Sequence, residues 1–158
     1  MIQFAAHSGI YSLEAEQIIP TSLEKAWEFF SLPQNLAKIT PEKMGFVITN
    51  SPDKVAHPGQ IITYKIAIFP LIKSNWVTEI TQVKDQAYFV DEQRFGPYAM
   101  WHHEHMFSEV KDGVLMKDRI HFKLPMGILG RIAYKLFVRR QLNQIFEHRF
   151  KTVENYFK

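Results

Sequence analysis

Apolar and polar residues alternate with a period of two near the start of the chain. Leu13 and Ala15 alternate with Glu14 and Glu16. Because successive side chains of a β-strand point to opposite faces of a sheet, this pattern predicts a strand over residues 11–19 with one solvated face. Six later segments have the same period between turn-forming residues, and they predict strands over residues 46–49, 60–69, 75–83, 87–94, 98–110 and 114–124.

The separators between these segments are short and rich in turn formers, as at Pro58–Gly59 and Asp112–Gly113. Short connections join antiparallel neighbours, since a parallel crossover needs a dozen or more residues. The sequence therefore predicts a meander that the first strand completes, which gives seven strands in one antiparallel sheet. A twisted sheet of this size tends to curl, so one of its faces is expected to be concave.

Two short helices are predicted between the first and second strands. Thr21 and Glu24 have the spacing of a capping box, so the first helix is expected to start at Thr21. The second is expected over residues 34–39, and Thr40–Pro41 ends it because the residue before a proline avoids the helical region.

One long helix is predicted over residues 128–157, where apolar residues recur with helical spacing. These residues are Leu129, Ile132, Ala133, Leu136, Leu142, Ile145, Phe146, Phe150, Val153 and Phe157. We expect this apolar stripe to cover the concave side of the sheet. The opposite side carries the basic residues Arg131, Lys135, Arg139, Arg140 and Lys151. A basic face of this kind is typical of a solvated surface, and binding to a membrane surface or an anionic partner is the alternative.

The order of strand, two short helices, meander and long helix predicts an α+β fold in which one helix grips a curved sheet, with residues 1–158 as a single domain. Of the 158 residues, 46% are hydrophobic and 13 are Phe, which suits either a cavity or a solid aromatic core. There is no cysteine and no Gly-x-Ser-x-Gly, Walker or Rossmann glycine pattern. This composition disfavours covalent catalysis and nucleotide binding, and we expect no cofactor.

The formal net charge of +3 is too small to indicate a nucleic-acid partner. The first residues lack the basic start and apolar run of a signal peptide, and no window holds 18 apolar residues in a row. We therefore expect a cytoplasmic protein without integral membrane contact.

The stretch Asp91–Phe107 contains the candidate site. Gly96–Pro97 predicts a turn between two strands. After the turn, Trp101 and Phe107 share one face with His103 and His105, since alternate residues of a strand point the same way. His102, Glu104 and, on the next strand, Arg119 are expected to face solvent.

Polar groups recur on the face that we assign to the interior. Burying each one unsatisfied would cost ~1–3 kcal/mol, so this face is expected to line a wet or ligand-filled cavity rather than a dry core. The predicted ligand-binding residues are Trp76, Thr78, Asp91, Gln93, Trp101, His103, His105, Phe107, Asp118 and Ile120. Trp27 and Phe30 are interpreted as core residues.

His103, His105 and Asp118 are the candidate catalytic residues. Two same-face histidines with a carboxylate from Asp118, or from Asp91, can orient a ligand, transfer protons, or hold a metal ion. Asp–His pairing is also the least costly way to bury either charge, so the residues alone do not separate a catalyst from a scaffold. The sequence favours hydrogen-bonded cavity histidines, with no metal.

The chain resembles the START/Bet v 1-like helix-grip superfamily, also called SRPBCC. The residues that carry the resemblance are Pro20–Phe30, the loop between Pro33 and Pro41, Pro58–Gly59, Phe89–Phe107 and the long final helix. Asp91–Tyr98, together with Trp101–His105, resembles a bacterial ligand-binding subgroup sometimes labelled cell-division-inhibitor-related. The resemblance implies a cavity between sheet and helix that binds an apolar or aromatic small molecule. It also implies, by family analogy only, an association with a sugar-nucleotide-epimerase-like protein.

Three function classes follow from the sequence. The first is a non-catalytic protein that binds or carries a hydrophobic small molecule, and the sequence favours it. The second is a cofactor-free enzyme of the cyclase or dehydratase kind, with His103 or His105 as the base, which shifted His and Asp pKa values around an open pocket would support. The third is a regulatory interaction module, which a large exposed apolar patch would support.

Overall fold

The computed structural model describes residues 1–50, 55–69 and 72–158. The described chain forms one antiparallel sheet in the order β1-β2-β8-β7-β6-β5-β4-β3. Its strands are β1 (Ile2–His7), β2 (Ile10–Ile19), β3 (Val47–Ile48), β4 (Gln60–Phe69), β5 (Ile72–Lys84), β6 (Tyr88–Phe95), β7 (Met100–Val110) and β8 (Gly113–Lys123). The meander and its antiparallel pairing are as predicted, and the first predicted strand, now β2, completes it beside β8.

The sheet has eight strands, so the predicted number of seven was wrong. The additional strand is β1, which pairs along its whole length with β2. Ser8 and Gly9 connect the two strands with φ angles of 51° and 79°. Positive φ at both central residues is the mark of the tight hairpin turn that suits the twist of paired strands. The Ser8–Gly9 dipeptide was therefore the available signal for β1.

Helix α1 (Leu23–Phe30) and helix α2 (Leu36–Ile39) follow β2, with short 3₁₀ turns at Pro33–Asn35 and Glu42–Met44. The N-cap of α1 is Ser22, one residue after the predicted start. Its hydroxyl accepts a hydrogen bond from the Lys25 backbone N–H at 3.3 Å. Just before the helix, the Thr21 N–H donates to the Ile19 carbonyl at 2.8 Å, so Thr21 lies in a tight turn and the next residue takes the capping position.

The C-terminal helix is continuous from α3 (Ile128–Ala133) through a π-helical segment (Tyr134–Val138) to α4 (Arg139–Phe157). Every fourth residue from position 130 to position 146 is buried. In a regular α-helix such a row drifts by about 40° each turn, because a turn takes 3.6 residues. The wider π turn rotates the row back, so that one face stays against the sheet along the whole helix.

The apolar stripe of this helix is only partly buried. Leu142, Phe146 and Val153 lie in the core, as predicted. Leu129, Ile132 and Leu136 belong to the same predicted stripe but are exposed, so their assignment to the core was wrong. Helical spacing shows that residues share a face, but it does not show that another element covers them.

The core consists of two clusters on the helix-covered side of the sheet. Around α1, Trp27 contacts Phe89 and Phe107 edge-on, and Phe30 packs on Phe107. Trp27 and Phe30 are thus core residues, as predicted. The second cluster gathers near the other end of the helix around Tyr11, Trp76, Tyr98, Phe122 and Tyr134. Residues from both clusters line the cavity described next.

Candidate functional site

A cavity lies between the sheet and the C-terminal helix. Its volume is about 190 Å³, counted as the positions that the centre of a water molecule can occupy. On the same measure one water molecule needs only ~10–15 Å³. Strands β4 to β8 form one wall, and α4 with the α1–α2 region forms the other. Aromatic and aliphatic side chains line most of it, including Phe30, Ile62, Tyr64, Trp76, Leu142 and Phe146.

Two histidines and two aspartates from adjacent strands meet at the sheet wall, and we call them the Asp–His cluster. His103 and His105 lie on β7, Asp91 lies on β6, and Asp118 lies on β8. The strand register puts Asp91 directly opposite His103, and Asp118 directly opposite His105. Since each pair shares a face, all four side chains point toward the helix.

Each histidine hydrogen-bonds the aspartate diagonal to it. Nε2 of His103 lies 2.8 Å from Oδ1 of Asp118, and Nε2 of His105 lies 2.7 Å from Oδ2 of Asp91. The directly opposed pairs are also close, with His103 Nδ1 3.5 Å from Asp91 Oδ2 and His105 Nδ1 2.9 Å from Asp118 Oδ1. The last contact does not have hydrogen-bond geometry, so it acts as a charge contact only.

The two histidines differ in their protonation behaviour. Burial lowers the pKa of His103, and the charge of His105 lowers it further. Burial also lowers the pKa of His105, but its contacts with Asp118 and Asp91 outweigh burial and raise that pKa above the usual value. His105 therefore holds a proton to higher pH than an ordinary histidine, while His103 stays neutral at lower pH.

Arg149 completes the cluster from α4, and its role was not predicted. Its Nη1 lies 3.4 Å from Oδ1 of Asp118, and its guanidinium lies over the rings of Phe30 and Phe146. Burial raises the pKa of Asp118, but the charge of Arg149 and the bonds from both histidines bring it well below the usual value. The available signal was a basic residue within the apolar spacing 142, 146, 149 and 153.

With His105 protonated and His103 neutral, the cluster carries no net charge. Burial raises the pKa of Asp91, but the hydrogen bond from His105 and the charges of His105 and Arg149 lower it overall. Both carboxylates are then ionised and balanced by His105 and Arg149. A balanced, hydrogen-bonded set is the form in which charges are tolerated inside a protein.

Neutral His103 uses its Nε2–H to donate to Asp118. Its Nδ1 then carries a lone pair. This nitrogen can accept a hydrogen bond from a molecule in the cavity, or a proton from a reacting group.

The structure brings most of the predicted ligand-binding residues to the cavity wall. Those that line it are Trp76, Thr78, Asp91, Trp101, His103, His105 and Ile120. Asp118 is only 2% exposed and lies behind the histidines, so it supports them without facing the cavity.

The structure does not bring Gln93 and Phe107 to the cavity. The Gln93 amide spans the turn instead, since its Nε2 donates to the Tyr98 carbonyl at 2.7 Å and its Oε1 accepts from the Tyr98 N–H at 3.2 Å. Phe107 is covered by Trp27 and Phe30. Strand alternation identified the correct face for both residues, but local turn bonding and the position of α1 decide which part of that face is open.

The outer face of the same strands carries a different set of charges. His102 lies 3.1 Å from Glu92, and Arg119 bonds Glu14 at 3.0 Å and lies 3.6 Å from Glu104. The side chains of His102, Glu104 and Arg119 are 30–36% exposed. They lie on the face away from the helix, as the alternation predicts.

Within the part of the chain that the structure describes, Asp91, His103 and His105 form the group that could hold a metal ion. Their ligand atoms lie within 4.8 Å of one another, and two histidines with one carboxylate suit several divalent ions. An ion would have to replace the hydrogen bond between His105 and Asp91, while Asp118 would remain as the partner that orients His103.

Solved structures with the same architecture were found by comparison. A protein from Thermus thermophilus is 18% identical, with 91% of this chain and 94% of that chain covered at a TM-score of 0.69. A START superfamily protein from Mycobacterium smegmatis is 13% identical, with 94% and 96% covered at 0.67. The Bet v 1 allergen Ara h 8.0201 is 15% identical, with 94% and 97% covered at 0.63.

The chain has the START/Bet v 1-like fold. This confirms the predicted helix-grip architecture. No protein-family model matches the sequence, and no curated protein matches it. Similarity at these identities establishes the START/Bet v 1-like fold and not a reaction or a ligand, because one fold can carry many functions.

Proposed function

We propose that residues 1–158 form one domain that binds a small, mostly apolar or aromatic molecule in the cavity, with a polar end of the molecule held at the Asp–His cluster. The observation that carries this proposal is the combination of an apolar cavity with one polar wall. Sites for small molecules typically pair a concave apolar surface with a few polar groups that fix orientation.

The apolar part of the cavity suits a flat, ring-containing molecule. Trp76 stacks on Tyr64 at 5.7 Å and contacts Trp101 edge-on at 5.3 Å. Rings held in this way expose faces and edges that favour contact with another ring. Leu142 and Phe146 of α4 close the opposite side, so a bound molecule would lie between aromatic and aliphatic surfaces.

The polar end of the molecule is expected to carry a hydrogen-bond donor, such as a hydroxyl. His103 Nδ1 and the Asp91 carboxylate both accept hydrogen bonds. They lie next to each other on the sheet wall, and one hydroxyl could donate to either of them. Tyr64 on β4 offers a phenol to the same cavity, 3.4 Å from the Thr78 hydroxyl. Burial raises the pKa of that phenol, so it stays neutral.

Two buried donors at the cavity also favour a ligand with acceptor atoms. Trp76 Nε1 and Arg149 Nε have no hydrogen-bond partner among the described residues. Both residues line the cavity. Leaving a donor unsatisfied in a buried position costs ~1–3 kcal/mol, and a carbonyl or ether oxygen of the ligand would remove that cost.

The test is binding of an environment-sensitive naphthalene dye by His103→Phe and by the matched control His102→Phe. The two positions are adjacent on β7 but face opposite sides of the sheet. We expect His103→Phe to weaken dye binding about tenfold, which corresponds to the loss of ~1.4 kcal/mol, and His102→Phe to leave it unchanged. Denaturation curves establish that both variants are folded.

A native mass spectrum of the freshly purified protein complements the dye titration. We expect a non-covalent adduct of a small molecule, released by organic solvent. Equal dye affinity in folded His103→Phe and His102→Phe would reduce His103 to a scaffold residue. Absence of both dye binding and adduct would refute the proposal as a whole.

Acid–base catalysis is the second candidate function, and one observation favours it. The environments of His103 and His105 move their pKa values in opposite directions, which is typical of sites where one group gives a proton and another takes it. Chemical change of the co-purified molecule during incubation with wild-type protein, and not with His103→Phe, would identify an enzyme. An unchanged molecule would identify a binding protein.

A further inference from the structure

The first half of the C-terminal helix presents apolar side chains to solvent. Met126 is 73% exposed, Ile128 66%, Leu129 59%, Ile132 49% and Leu136 71%. Single exposed apolar residues are ordinary on protein surfaces. Five within eleven residues of chain form a continuous patch, and such patches mark interaction sites.

These side chains point away from the sheet. Tyr134 and Val138 are buried against it, and Ile132 and Leu136 each lie two residues from Tyr134. Two residues on a helix correspond to a rotation of about 200°. The apolar row is therefore on the side of the helix opposite to the buried row, and the sheet does not cover it.

The start of this patch is held in an unusual backbone conformation. Met126 has a φ angle of 66°, which costs energy for a residue with a side chain. Gly130 then fits so closely against Pro125 that a Cβ there would overlap the Pro125 carbonyl oxygen. The chain thus accepts local strain at the position where Met126 is displayed to solvent.

The same segment is strongly basic. Residues 123–146 contain five lysines and arginines and no aspartate or glutamate. Four of these cations, Arg131, Lys135, Arg139 and Arg140, are exposed along the helix. We call them, together with the five exposed apolar residues, the basic apolar patch.

We propose that the basic apolar patch docks on the surface of a bilayer that contains anionic lipids. Apolar side chains flanked by cations are the pattern of helices that lie in a membrane interface. No helix among the described residues is long and apolar enough to span a bilayer, so the contact is peripheral. This proposal concerns the outer surface and does not depend on what the cavity binds.

A membrane fits this surface better than a second copy of the chain. Two copies joined through their patches would bring two sets of cations together without acids to balance them. The apolar side chains also protrude from a convex helix and do not line a groove. A protein partner needs a matching concave surface, whereas a fluid bilayer adapts to protruding side chains.

The experiment is flotation of the purified 158-residue protein with lipid vesicles. Vesicles of phosphatidylcholine alone are compared with vesicles in which roughly one-third of the lipid is phosphatidylserine. We expect binding to the anionic vesicles at about 0.1 M salt and at least about fivefold weaker binding to the neutral vesicles. Raising the salt to about 0.5 M should release the protein.

Three variants separate the contributions. Leu129→Glu/Leu136→Glu should weaken binding to anionic vesicles by at least about tenfold, because two apolar contacts are replaced by anions. Arg131→Gln/Lys135→Gln should weaken it by about fivefold for each charge removed. Ile18→Glu is the matched control, since Ile18 is 52% exposed on β2, away from the patch, and binding should be unchanged.

Failure of the wild-type protein to bind anionic vesicles would overturn the proposal, as would full binding by folded Leu129→Glu/Leu136→Glu. A wild-type dimer in light scattering that becomes a monomer in the same double variant would also overturn it, because it would assign the patch to a second copy. Dye binding in the cavity is measured separately, so failure at one site does not imply failure at the other.

Discussion

The two faces of β7 and β8 carry the same kinds of charged residues in opposite circumstances. On the inner face, His103, His105 and Asp118 are buried beneath the helix. On the outer face, one residue away along each strand, Glu104 and Arg119 form ion pairs that water reaches. The residue types are similar, so the comparison isolates the effect of solvent.

Burial makes the inner charges dependent on one another. Water can replace a lost partner on the outer face, where an ion pair contributes little. Inside, removal of one partner leaves another charge without compensation, and the loss is several times larger. The inner cluster therefore constrains both the stability of the fold and the shape of the cavity wall, while the outer pairs do neither to a comparable degree.

The largest difference is expected between Asp118→Ala and Glu104→Ala. Asp118→Ala leaves Arg149 buried without its carboxylate, and we expect a loss of about 3–5 kcal/mol in the free energy of unfolding. Glu104→Ala removes a half-exposed partner of Arg119 and should cost less than about 1 kcal/mol. Urea denaturation at neutral pH measures both. Similar losses in the two variants would show that the faces do not differ as described.

A change of intermediate size in the free energy of unfolding is expected on acidification. Asp91 and Asp118 have lower pKa values in the folded chain than in the unfolded chain. The stability that they contribute is present above the unfolded pKa of about 3.9 and is lost as pH falls through the folded values. Stability should therefore decline below about pH 4, and Asp118→Asn should make that decline shallower. Parallel declines in the wild type and in Asp118→Asn would show that Asp118 does not contribute to the loss of stability in acid.

The smallest effect is expected on the outer face. Arg119→Ala removes contacts with both Glu14 and Glu104, yet each is partly exposed. We expect a loss of about 0.2–1 kcal/mol that shrinks as salt is raised, because exposed charges are screened. Urea denaturation at low and high salt tests this. A loss that is large and independent of salt would mean that the outer pairs are effectively buried.

The sequence predicted the inner and outer faces of β7 because two large apolar residues identified which side chains point to the interior. Trp101 and Phe107 are large apolar groups on one face of β7, and a strand keeps that face for every second residue. His103 and His105 follow from this rule alone. The helix-grip architecture followed likewise from periodicity and short connections.

The parts that the sequence did not predict depend on distant contacts. Arg149 joins the cluster because α4 passes over Asp118. The local sequence around Arg149 does not show that these two distant segments meet. Gln93 turns away because a nearby turn offers better hydrogen bonds. Leu136 is exposed because nothing in the described structure covers that side of the helix, although its spacing is typical of a core residue.

The hairpin formed by β1 and β2 also determines how the sheet ends. At the opposite edge of the sheet, β3 is only two residues long, so it presents few free backbone N–H and C=O groups to another strand. Without β1, the N–H and C=O groups of β2 over residues 10–15 would lose their partners, beside the alternating apolar side chains Leu13 and Ala15. Such an open edge is a template for strand addition between molecules. The first nine residues thus move the free edge of the sheet from the ten-residue β2 to the six-residue β1, and we expect a shortened chain that begins at β2 to aggregate more readily.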